Sequence, residues 1–129
     1  MRKTFVIALF FACVVLARAQ KTHEHKEKQE AVTSIVGYLR DAGCVHRFHE
    51  VVKPLPNGRL EACVRAGSPL VLLTKTEQVY HPISSGIPDR DVRSELLPFV
   101  GKLVKITGHV YERGGSRAIA VEHIEEMKD

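Results

Sequence analysis

Apolar and polar positions divide the chain into an apolar leader, a wholly polar stretch and a series of short segments whose period changes along the sequence. The leader runs from Phe5 to Leu16, follows Arg2 and Lys3, and ends at Ala17-Arg18-Ala19. That combination predicts a secretory signal peptide over residues 1–19, cleaved after Ala19; about twelve apolar residues are too few to cross a bilayer as a retained helix. A lipoprotein reading through Cys13 is weaker, because Phe10-Phe11-Ala12 is a poor lipobox and more apolar chain follows it. Residues 20–30 contain no aliphatic or aromatic residue and read as a mobile polar tail.

Folded structure is expected over 31–126. Val32, Ile35, Val36, Tyr38 and Leu39 fit an amphipathic helix or a β-branched strand interrupted by Gly37, and periodicity leaves both open. Residues 54–59, with two prolines and Asn57-Gly58, form a break. A helical turn is expected from about Gly58 to Ala66, with Asn57 as its cap and Gly67 just past its end. Pro69 stops it. Leu70–Thr74 and Val79–Ile83, joined by Lys75–Gln78, predict a β-hairpin with a four-residue loop.

Ser84–Asp89 is a Ser/Gly/Pro loop, and Val92, Leu96, Leu97 and Val100 then fall at helical spacing behind Asp89 or Asp91 as a cap. Pro98 limits that helix to about two turns, and Gly101 ends it. From Leu103 to Arg113 the period becomes two, with Val104, Ile106 and Val110 on one face and Lys105, Thr107 and His109 on the other. Gly114-Gly115-Ser116 turns the chain into a last strand through Ala118–Val121 and Ile124; Glu125–Asp129 is expected to fray.

With the first segment taken as a strand, the order is strand, hairpin, helix, hairpin. This predicts a mainly β fold: a small five-stranded oligonucleotide/oligosaccharide-binding (OB)-like barrel with one short helix between strands 3 and 4. Gly37 and Gly108 sit where bends help such a barrel close, and neither needs a functional role.

The passage Leu97-Pro98-Phe99-Val100-Gly101-Lys102-Leu103-Val104-Lys105-Ile106-Thr107-Gly108-His109-Val110 resembles the helix-to-strand step of small exported bacterial OB-fold domains. Asp41-Ala42-Gly43-Cys44, with Ala62-Cys63-Val64-Arg65-Ala66-Gly67-Ser68-Pro69 and the following Leu-Leu-Thr strand, is similar to a family of small periplasmic proteins of unassigned activity. The resemblance implies the fold and a periplasmic or secreted location. Such relatives tend to carry a further cysteine and a histidine just before the second cysteine. Here Arg59 stands four residues before Cys63 and no histidine precedes it in that segment, which weakens any metal or haem role suggested for them.

Loss of the leader changes the charge and the cysteine count. Arg2, Lys3 and Arg18 are three of the 19 basic residues and leave with none of the 15 acids, so the expected mature chain is close to neutral. A nucleic-acid partner, which calls for a basic excess against phosphates, is therefore not expected. Cys13 leaves as well, and Cys44 and Cys63 remain as a pair expected to form a disulfide in an oxidising compartment, stabilising the fold by about 3 kcal/mol in the chain-entropy picture.

No nucleophile elbow, phosphate loop, HExxH or paired-carboxylate signature is present, so no catalytic residue and no cofactor are assigned. The alternative chemistry is zinc or copper held by Cys44, His46, His49 and Cys63. His23 and His25 in the tail are a weaker metal tract. Ser84, Ser85, Asp89 and Asp91 are assigned to turn formation and capping, and His81, His109 and His123 to separate strand positions. Tyr38, Tyr80, His81 and Tyr111 form the expected ligand face of an OB barrel that lacks tryptophan. The expected function is that of an exported, non-enzymatic binding module contacting a small ligand or an envelope protein through the hairpin and its flanking loops.

Overall fold

The computed structural model describes residues 31–49 and 52–128. The expected signal peptide, the polar tail with His23 and His25, and Asp129 lie outside the described residues. The open choice for the first segment resolves as strand β1, Thr33–Asp41. It is followed by α1 (Ala42–Phe48), α2 (Asn57–Arg65), β2 (Leu70–Leu73), β3 (Val79–Ser84), α3 (Arg93–Leu96) with a 3-10 turn at Leu97–Phe99, β4 (Leu103–Arg113) and β5 (Ser116–Glu126).

The five strands close into a barrel in the order β1-β2-β3-β5-β4. All pairings are antiparallel except β3 with β5. Closure occurs because β1 is long enough to pair β2 through Tyr38–Asp41 and β4 through Thr33–Tyr38. At the crossing point Gly37 is needed, since a Cβ there would lie 2.6 Å from the Leu73 carbonyl oxygen. In β4 the register shifts between Thr107 and Gly108, and a Cβ on Gly108 would meet the Ala120 carbonyl oxygen at 1.7 Å. Both glycines are thus sites of close backbone approach that let the strands coil.

Leu39, Leu72, Val104, Ile106 and Ile119 meet inside the barrel. α2 adds Leu60 and Val64 to this cluster and α3 adds Leu96. The alternation read in β4 therefore points Val104 and Ile106 inward, with Val110 packed at the margin. All four residues of β2 are buried. Leu70 and Leu72 enter the main core, whereas Val71 and Leu73 join Val45 of α1 in a second cluster outside the barrel wall. A strand covered on both faces loses the reason to alternate, which explains the continuous apolar run.

The expected single helix between strands 3 and 4 is present as α3 and its 3-10 turn, but two further helices fill the β1–β2 connection. The turn expected near Gly58–Ala66 is one of them; it begins at Asn57, with Pro56 in the cap position and no side-chain cap bond. α1 was not expected. It exists because Asp41 ends β1 and caps the helix, accepting the Cys44 amide on Oδ1 at 2.8 Å, and it stops after seven residues at His49, whose φ is 46°. The expected fraying from Glu125 is also corrected. β5 pairs through Glu126 with Val104, Lys105 bonds Glu125, Lys102 Nζ meets Glu126 at 2.7 Å, and the Met127 amide donates to Leu103.

Candidate functional site

The β1–β2 connection is fixed to the barrel by a buried cation. Arg40 is fully buried, lies over the Tyr38 ring at 5.2 Å, and donates from Nη1 to the Gly101 carbonyl at 3.3 Å and from Nη2 to that of Lys53. The Leu55 amide donates to the same Gly101 oxygen at 3.1 Å. The segment leaving α1 is therefore held against the loop that precedes β4, and Leu55 and Pro56 are set facing the helices.

What results is a groove of about 560 Å³ lined by Cys44 and Phe48 of α1, Leu55 and Pro56 of the connection, and Arg59, Leu60 and Cys63 of α2. Leu60 is part of the core and forms the floor, while Phe48 is 71% exposed, unusual for a phenylalanine. Arg59 and Cys63 lie one turn apart on α2 and both face the groove. The walls are mostly apolar, with one guanidinium, a composition suited to a compact apolar ligand that carries negative charge.

Cys44 and Cys63 are half-buried thiols that line this one groove, and the expected disulfide between them is not formed. They stand on separate helices, and neither belongs to a hydrophobic cluster. Asp41 supports the Cys44 end. Burial pushes its carboxyl upward, but hydrogen bonds from the Ser68 hydroxyl, the Cys44 amide and thiol, and the Gly43 amide outweigh burial and hold it below the ordinary 3.8.

The four residues expected to hold zinc or copper are divided between two places. Cys44 and Cys63 line the groove, whereas His46 and His49 line a second cavity of about 310 Å³ with Val45, Val52, Leu73, Glu77 and Val79. α1 is the cause, because it turns the cysteine and the histidines toward different sides. Among the described residues no three His, Cys, Asp or Glu side chains are grouped to hold a metal ion.

The expected ligand face is divided as well. Tyr38 and Tyr80 are 2% and 7% exposed, Tyr38 beneath Arg40 and Tyr80 inside the core with its hydroxyl donating to Gln78, so neither presents a ring to a ligand. His81 and Tyr111 are exposed and lie on one sheet row, each paired with Ala118 of β5. His109 faces Glu122 at 3.3 Å, and His123 pairs with Thr107.

The Ser84–Asp89 loop closes on itself as expected of a turn. Asp89 Oδ1 accepts the Ser84 amide at 2.8 Å, Ser84 Oγ donates to Gly86 and accepts the Arg90 amide, and the Ser84 bonds hold the Asp89 carboxyl below its ordinary value. Asp91 accepts the Arg93 amide at the entry to α3.

Sequence reasoning singled out both cysteines of the groove but not Phe48, Leu55 or Pro56. The available signal was Phe48 itself, the one aromatic in a polar run of histidines and arginine. The chain matches no protein-family model, no curated protein and no solved structure.

Proposed function

We propose that this protein is an exported, non-enzymatic OB-type binding module whose ligand sits in the groove between α1 and α2. The observation that carries the reading is the position and character of that groove. OB barrels contact ligands with strands 2 and 3 and with the loop between strands 1 and 2, and the groove occupies that loop. Its volume falls in the range of small-molecule sites, and its walls pair apolar surface with the Arg59 cation. Export rests on the basic residues, apolar run and small-residue site of residues 1–19.

The test uses 8-anilinonaphthalene-1-sulfonate, an apolar anion, as the probe. Wild-type protein is expected to bind it saturably, and Phe48→Ser to bind at least tenfold more weakly with an unchanged circular dichroism spectrum. His81→Ala is expected to bind as wild type does. Equal affinity in wild type and Phe48→Ser overturns the assignment to the groove. For export, protein recovered outside the cytoplasm is expected to have the mass of a chain beginning at Gln20; a mass retaining Met1–Ala19 contradicts it.

A further inference from the structure

We infer that Cys44 and Cys63 are a redox-active dithiol that exchanges with the disulfide of a short peptide seated in the groove. The inference rests on the groove reading for the seat of the peptide, not for the thiol chemistry. Three observations combine. Two thiols distant in sequence line one groove from two helices, and both are half-buried and unbridged. Buried structural cysteines usually serve as small core hydrophobes, yet both of these lie outside the hydrophobic clusters. The rim next to them, Phe48, Leu55 and Pro56, is apolar and includes the heavily exposed aromatic, as a surface that docks a peptide requires.

The two thiols have different surroundings, which assigns their order of action. The Asp41 carboxylate takes hydrogen bonds from the Cys44 amide and thiol, which favours the protonated form of Cys44 and leaves it for the second step. Cys63 attacks first. Its thiolate sulfur bonds to one sulfur of the peptide disulfide, the peptide S–S bond breaks, and the departing peptide thiolate takes a proton from water. Cys44 then gives its proton to water, and its sulfur attacks Cys63 in the mixed disulfide. A Cys44–Cys63 bond forms, the Cys63–peptide bond breaks, and the second peptide sulfur leaves and takes up a proton from water. Two electrons pass from the protein dithiol to the peptide disulfide. The exchange is stoichiometric, one disulfide consumed per chain, and runs in reverse with a peptide dithiol.

The test is reaction of the reduced full chain with oxidised glutathione, with acid quenching and peptide mapping by mass so that Cys13 is read separately. Wild type is expected to accumulate a Cys44–Cys63 bond and release two glutathione thiols per bond formed. Cys44→Ser is expected to stop at a glutathione adduct on Cys63. Cys63→Ser is expected to react at least tenfold more slowly than Cys44→Ser. A stable adduct in wild type without an internal bond overturns the inference, as does a Cys63 rate no greater than that of an unstructured cysteine peptide. Failed exchange with dye binding intact overturns this inference alone; lost dye selectivity with exchange intact overturns the groove reading alone.

Discussion

Gly108 makes the sharpest demand on residue identity. With the Ala120 oxygen only 1.7 Å from the place of a Cβ, Gly108→Ala must force β4 and β5 apart at their bulge, and a loss of about 3 kcal/mol in urea unfolding is expected. Gly86, with open space around it and no left-handed φ, is the control, and Gly86→Ala should change stability by less than about 0.5 kcal/mol. Arg40→Met removes donors from two backbone carbonyls and is expected to cost about 3 kcal/mol. Asp41 adds a pH dependence. Its folded-state carboxyl lies below 3.8, so its contribution is present above that value and is lost as pH falls through the lower folded value. Asp41→Asn should therefore be less stable than wild type at neutral pH, with the gap narrowing in acid unfolding; a gap independent of pH contradicts this. Gly37 and Gly108 were legible in sequence because a glycine inside a long strand marks a bend or a close backbone approach. Arg40 was not, since nothing local marks a guanidinium whose partners are carbonyls 13 and 61 residues away.

Among the elements, the hairpins were the most legible. β4 falls over Leu103–Arg113 as its period of two requires, and β2 and β3 flank Lys75–Gln78. Local turn chemistry and alternation decide such elements. α1 escaped because seven residues including Gly43 give too short a window for a helical period, and its cap, Asp41, also ends a strand. Its indirect trace was the unbroken apolar run of β2, which required cover on the outer face. The missing helix is also what sends the histidines of Cys44–His49 away from the cysteines. If α1 holds one wall of the groove through Val45, then Val45→Ala should cost about 2 kcal/mol and weaken dye binding although Val45 does not line the groove. Unchanged binding would show that the wall does not depend on that packing.

At the scale of the whole molecule, the barrel is a support and the β1–β2 connection carries the groove. Closure places β1 between β2 and β4, and Gly101 and Lys53 are joined through Arg40, so the groove is built beside the seam where the barrel closes. The tyrosines expected to make a ligand face are instead partly structural: Tyr38 and Tyr80 are buried where the barrel closes and packs. The groove's apolar walls and its one cation suit the apolar anion proposed as its occupant. The most direct measurement is a map of backbone amide shifts on adding 8-anilinonaphthalene-1-sulfonate to the isotope-labelled protein. Shifts concentrated in 42–48 and 55–63 are predicted; shifts centred on His81, Tyr111 and the β4–β5 turn, with α1 and α2 unmoved, would contradict the account.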